Sequence, residues 1–349
     1  MASPAPRQRL ARLDGLRGFA ACMVAFAYHP QNLFARGLFA HAGRLVTWLH
    51  LWGWSFVDLF FLLSGFIFAH VYLRADKSFC VGDFVRARIA RLYPLHLVLL
   101  LVIAACAGGA PANTQGAFLA HLLMLQAFVA PVGHSFDGPS WSLSVECVCY
   151  ALFAWGAWRG ERALAWITAL AFAAGLARIA LLSGPGGPFA EDVLWRGLLG
   201  FFLGQMLWRA RARLARLPTL LLLAALTLGL TALVGRWSPL LPLCLLAWPA
   251  ALLLALRCPL LESRTMLWLG DRSYAIYLIH LPLIDAIFHF TGAISGPVWL
   301  VAAVHGAIIA GVLLLSDLAY RGIERPARRF IRSARARHGG REPQASALV

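Results

Sequence analysis

Apolar stretches about as long as a bilayer is thick recur along almost the whole chain, and no other feature limits the fold so tightly. They lie near 16–35, 48–72, 93–110, 138–158, 163–182, 192–208, 218–235, 239–256, 273–292 and 297–320. A helix needs about 20 such residues to cross hydrocarbon, where every backbone polar group must bond within its own segment. Charged residues make up only 13% of the chain, against about 25% in a soluble domain. The expectation is an all-α integral membrane protein, a bundle of about ten transmembrane helices. One more apolar stretch, 117–130, is too short to cross and reads as a single interfacial or re-entrant helix.

The basic residues orient this bundle. The net charge of +16 first suggests nucleic acid, but no basic groove with interleaved aromatics is visible, so no nucleic-acid partner is expected. The charges fall in short loops between apolar stretches, where Lys and Arg mark the cytoplasmic side. With ten spans and both termini cytoplasmic, all basic residues but six (Arg17, Arg36, Arg44, Arg178, Arg196 and Arg236) lie inside. Were 117–130 to cross, the "RARARLAR" loop and the basic tail would face outward. The reading is therefore a flexible N-terminus at 1–8, one membrane domain at 9–335, and a disordered basic and polar tail at 336–349. The basic N-terminus ahead of an apolar run reads as a retained first span. The seven cysteines, mostly inside apolar runs, read as small buried hydrophobes, and no metal site is expected from Cys147 and Cys149.

Ionisable groups inside spans are expensive in lipid and mark function by default. "LDGLRGFAACMVAFAYHP" carries Asp14, Arg17 and His29, with the last two about 18 Å apart along a helix. "SFVDLFFLLSGF" carries Asp58 and Ser64, and "PSWSLSVECVCYALF" carries Ser140, Ser142, Ser144 and Glu146, an acid that needs a partner. "SYAIYLIHLPLI" places Ser273, Tyr277 and His280 on one helix face. In "FVRARIARLYPLH", Arg88 and Arg91 are three apart and share a face, as a positive-inside anchor or as a clamp for an anionic ligand. Arg17 alone reads equally as an orientation anchor, and each hydroxyl as helix-to-helix packing.

Taken together, "LDGLRGFAACMVAFAYH", "VDLFFLLSGFIFAH", "RARIARLYPLH", "SWSLSVECVCY", "SYAIYLIHLPL" and "YRGIERPARR" resemble the motifs of the membrane acyltransferase-3 family, over almost the whole length. The resemblance implies an O-acyltransferase of the bacterial inner membrane. It would move an acyl group, commonly acetyl, from cytosolic acyl-CoA to a hydroxyl of a cell-envelope glycan or lipid-linked sugar. Acyl-CoA is then a substrate, and no cofactor is bound permanently. His29 and Arg17 correspond to the family's catalytic pair, and Arg88 and Arg91 to its proposed CoA-contacting pair. Glu146 joins His29 and Arg17 as a catalytic candidate. Asp14, Ser142, Tyr277 and His280 are candidates for substrate contact, and Glu146 or Asp14 is the carboxylate available to orient the imidazole. The short stretch after the last span implies that the hydrolase-like domain of some members is not appended.

Two departures from the family pattern matter. Eleven residues separate Arg17 from His29 where the family has ten, which places the two on different faces of a straight α-helix unless a π-bulge restores the phase. Glu146 is followed by Cys147, where the family often has a second polar residue, so Glu146 is expected to stand without a close helper. Outside the family reading, the buried ionisable groups also suit a transporter or flippase of a small anion or lipid-linked sugar, although the internal repeats of many transporters are missing.

Overall fold

The computed structural model describes residues 10–35, 43–73, 79–107, 109–129, 135–182, 192–231 and 240–330. The segments expected to be a flexible N-terminus, 1–8, and a disordered tail, 336–349, lie outside the described residues. Within the described residues, each of the ten apolar stretches is mostly helical. The first is α1 (Ala11–Cys22), continued by a π-helical turn (Met23–Tyr28) and a 3-10 turn (His29–Asn32). Then come α2 (Arg44–Trp52), α3 (Phe56–Tyr72), α4 (Val81–Ala107), α5 (Gln115–Leu122) and α6 (Gln126–Val129). These are followed by α7 (Trp141–Arg159), α8 (Glu161–Leu182), α9 (Val193–Leu214) and α10 (Thr219–Thr231). The chain continues through α11 (Leu240–Pro242), a second π turn (Leu243–Ala247), α12 (Trp248–Ala255) and α13 (Arg264–Thr291). It closes with α14 (Val298–Ala319) and a third π turn (Tyr320–Glu324).

Five of these helical segments are long and apolar enough to cross a membrane by themselves: Arg44–Tyr72, Val81–Cys106, Glu161–Leu181, Arg264–Thr291 and Val298–Phe330. The others are short or are diluted by polar groups, as in α7 with Glu146 and α9 with its arginines. Large apolar side chains stand bare on the outer faces, among them Trp166 at 70% and Leu181 at 77% exposure. Such surfaces need a hydrocarbon surround. The expected single helix at 117–130 is instead two short ones, broken where Met124 takes a left-handed φ of 58°. Its polar side chains turn inward: His121 and Gln126 are buried and hydrogen-bonded.

Two close helix contacts fix the frame. Lipid tails are as apolar as leucine, so packing rather than the hydrophobic effect holds such helices together, and small residues let backbones approach. Between α3 and α9, a Cβ added to Gly65 would lie 1.7 Å from the carbonyl oxygen of Phe201. Between α1 and α13, a Cβ on Gly18 would lie 2.6 Å from the Gly270 nitrogen, which sets Arg17 against the α13 face that carries Ser273 and Tyr277. Backbone cannot yield as a side-chain tip can. Gly65→Ala is therefore expected to destabilise the protein by at least about 1–3 kcal/mol, read as a lower melting temperature in detergent, and an unchanged melt would refute the contact.

Candidate functional site

A small cavity of about 60 Å³ lies between α1, α3, α4, α7 and α13. Arg17, Arg88, Arg91, Glu146, Ser142 and Tyr277 stand in its wall, six of the nine residues singled out from sequence. Asp14 lies one turn before Arg17 on α1, outside that wall. His29 and His280 form a second group next to it, as described below.

Arg88 and Arg91, both within α4, are not equivalent. Arg91 faces Glu324 at 3.6 Å, and Glu324 also takes a hydrogen bond from Arg328 at 2.5 Å. Arg88 has no such carboxylate among the described residues. Its guanidinium carbon sits 4.9 Å from the Phe68 ring and 5.7 Å from the Tyr150 ring, while its Nε and Nη1 are buried with no hydrogen-bond partner. The aromatic faces give partial compensation through the ring quadrupole, but the N–H donors on these two nitrogens stay unused. Glu324, in the third π turn, was not singled out from the sequence. Its position among the basic residues of "YRGIERPARR" was the available signal.

Glu146 does have helpers. It accepts hydrogen bonds from Ser64 Oγ at 3.1 Å and from the Tyr150 hydroxyl, which lies one turn along α7. The expectation of an unaided carboxylate is thus corrected. The Ser64 contact crosses from α3 to α7, which no spacing within either segment encodes.

Of the outcomes that the Arg17–His29 spacing leaves open, a π turn is present between the two residues. Twelve residue steps of an ideal α-helix leave the two about 120° apart, whereas absorbing one residue leaves about 20°. The Met23–Tyr28 turn restores the phase. Its loosened carbonyls are used: Phe26 O accepts from His305 Nε2 at 2.7 Å, and Val24 O receives both the His29 backbone N–H and its Nδ1, the latter at 3.3 Å. Beyond His29, Leu33 and Ala35 pair with Ile294 through backbone bonds of 2.9 Å, which pins this strand-like exit to the α13–α14 connection.

His29 is 7% exposed and lies outside the cavity wall, with neither Arg17 nor a carboxylate bonded to its ring among the described residues. The orienting group is His280 instead of Glu146 or Asp14, for a geometric reason: Glu146 is held by Ser64 and Tyr150, and Asp14 lies about 22 Å down the helix. The tautomers follow from what each partner can accept. His280 Nδ1 lies 3.1 Å from the carbonyl of Ile276, which only accepts, so this nitrogen carries the proton. In a neutral ring, His280 Nε2 is then an acceptor, and at 2.9 Å it takes the N–H of His29 Nδ1. That leaves His29 Nε2 with a free lone pair, buried and without a partner. The link to the cavity is Tyr277, one turn before His280 on α13, with ring centroids 5.9 Å apart. Tyr277 Oη and Ser142 Oγ both donate to the carbonyl of Pro139, at 3.0 and 3.2 Å.

A cavity lined by three arginines and Glu146, with a buried histidine pair beside it inside an apolar helical bundle, is the arrangement of a membrane protein with a polar internal site. The acyltransferase-3 family, described as an acyltransferase domain, matches residues 10–317, and the chain belongs to it. It is a transferase. The chain is 30% identical to the acyltransferase MdmB of Streptomyces mycarofaciens, across 97% of this chain and 95% of the relative. It is 27% identical to a putative peptidoglycan O-acetyltransferase, YrhL of Bacillus subtilis, across 90% of this chain and 54% of that protein. No solved structure matches. Family membership sets aside the transporter or flippase alternative.

Proposed function

We propose that this membrane O-acyltransferase takes an acyl group, acetyl in the simplest case, from acyl-CoA and delivers it to a hydroxyl of a cell-envelope glycan or lipid-linked sugar. We further propose ten crossings of the bacterial inner membrane, with both termini cytoplasmic and Arg88 toward the cytosol. The observation that carries the reading is the pair of buried, unused polar groups at the two levels of one helical frame: the Arg88 guanidinium in the cavity and His29 Nε2 just beyond it. Guanidinium forks suit phosphates, so Arg88 takes donor phosphate, with Arg91 already part-neutralised by Glu324. The thioester then lies toward Tyr277.

In the transfer step, His29 Nε2 accepts the proton of the acceptor hydroxyl as its oxygen bonds to the thioester carbonyl. The C–S bond breaks, and the CoA thiolate leaves with that proton. An imidazolium at this position would have no carboxylate beside it, which favours passing the proton on over storing it. Ring attack by His29 on the thioester, giving an acyl-imidazole, uses the same lone pair.

The test is transfer of radiolabelled acetyl-CoA to detergent-extracted cell-envelope glycan by the purified protein. CoA release with labelled glycan is expected. Arg88→Ala is expected to raise the KM for acetyl-CoA roughly tenfold to a hundredfold and to leave the acceptor KM alone. Absence of labelled glycan would refute the reading, and an unchanged acetyl-CoA KM would remove Arg88 from donor binding.

A further inference from the structure

The turn before α7 holds a carboxyl group that no described residue bonds. Asp137 is 1% exposed, and both of its side-chain oxygens are buried without a hydrogen-bond partner. The turn around it is otherwise well satisfied. The Asp137 main-chain carbonyl accepts from Ser140 N at 3.1 Å and Ser140 Oγ at 2.6 Å. Ser140 Oγ also lies 3.3 Å from His121 Nδ1, and Gln126 Nε2 donates to the Ser140 carbonyl at 2.6 Å. Two residues on from Asp137, the carbonyl of Pro139 holds Tyr277 and Ser142 in the cavity wall. The donors of this turn are thus spent on main-chain carbonyls and on Ser140, and none bonds the Asp137 carboxyl.

A buried carboxyl left unpaired weakens a protein, and native folds hold few of them. One that is kept beside an active site is accounted for by a ligand. The location selects which ligand. The Asp137 turn docks on α13 at Tyr277, and His29 docks on the same helix at His280, three residues and about 4.5 Å further along. The elements that carry the two unused groups therefore dock one helical turn apart on α13, beside the cavity wall at Tyr277. The substrate that must meet His29 brings a hydroxyl.

We propose that Asp137 is the acceptor-recognition residue: its carboxyl bonds one hydroxyl of a polyhydroxylated acceptor, a sugar ring, while a neighbouring hydroxyl of the same ring is offered to His29 Nε2. This rests on the acyl-transfer reading above and names a residue for its acceptor side. Burial first, and Asp285 second, hold the Asp137 carboxyl well above the usual carboxylate range. A protonated carboxyl both donates and accepts, as a sugar hydroxyl does.

Asp137→Leu separates recognition from structure. Replacing an unpaired buried polar group by an apolar one of similar shape is neutral or stabilising, so the variant is expected to melt at or above the wild-type temperature. With acetyl-CoA and titrated extracted envelope glycan, the acceptor KM is expected to rise roughly tenfold to a hundredfold, and the acetyl-CoA KM to stay unchanged. Asp137→Asn, which keeps a donor and an acceptor, is expected to fall between the two. An unchanged acceptor KM in the Leu variant overturns the assignment, and so does a lower melting temperature, which would make Asp137 structural. If the Leu variant fails to insert, the Asn variant decides by the same split between acceptor and donor KM. A wild-type protein that labels no glycan at all fails earlier, at the transfer reading, and takes this one with it.

Discussion

His29→Ala is expected to lower acyl transfer by about 10²–10⁴-fold, the range of a positioned general base, or below detection if the ring itself carries the acyl group. Insertion and melting temperature are expected to change little, because the His29 ring makes only two polar contacts, to Val24 O and to His280. The reason is the tautomer chain. The Ile276 carbonyl fixes the proton on His280 Nδ1, His280 Nε2 fixes the proton on His29 Nδ1, and the lone pair is left on His29 Nε2. His280→Phe removes the middle link. The ring of His29 can then turn its N–H toward Val24 O alone, and a smaller loss is expected, with kcat falling and the acetyl-CoA KM unchanged. The same labelled transfer assay reads both variants. Activity retained in His29→Ala would remove this residue from the chemistry. Equal losses in both variants would mean that the pair acts as one unit, as coupled catalytic residues do.

Much of this was legible from the residues, and what was not has a physical pattern. The eleven-residue spacing between Arg17 and His29 was a usable anomaly: the fixed angle per residue of a helix turns one extra residue into a face change, and only a π turn corrects that. The helical stretches follow from apolar runs for the same reason, since hydrocarbon leaves the backbone few options. Partnerships across helices are different. That Glu146 meets Ser64, that Arg91 meets Glu324 while Arg88 meets only rings, and that His280 rather than a carboxylate steadies His29 all depend on how faces are packed together. No period along one segment carries that information. The break at Met124 was hidden too, because a left-handed methionine has no sequence signature of the kind that glycine or asparagine provides. Asp137 sat next to a motif that drew attention to the residues after it.

Asp58 shows how costly such a cross-helix partnership is to break. Its carboxylate accepts from Arg196 Nε and Nη2, each at 2.9 Å, with both side chains fully buried. The guanidinium carbon also lies 4.6 Å from the Trp54 ring and 5.2 Å from the Trp141 ring. The sequence pointed to Asp58 as an acid in a span but placed Arg196 only among the exceptions to the charge count. The pair bridges α3 and α9 at the contact where Gly65 admits Phe201. Asp58→Asn leaves a buried guanidinium without its counter-charge and is expected to destabilise the protein by about 3–5 kcal/mol. Arg196→Met, which strands the carboxylate, is expected to do the same. Replacing both, Asp58→Leu with Arg196→Met, removes two desolvated charges together and is expected to recover most of the melting temperature. A double-mutant cycle of thermal melts in detergent reads the coupling. Single variants that melt like the wild type would show that water or lipid headgroups reach the pair, contrary to its burial. A double variant as unstable as either single one would mean that the attraction itself, and not the penalty of an orphaned charge, holds α3 against α9. Because α3 also carries Ser64 to Glu146, the single variants are expected to lose transfer activity along with stability, and the double variant to regain both.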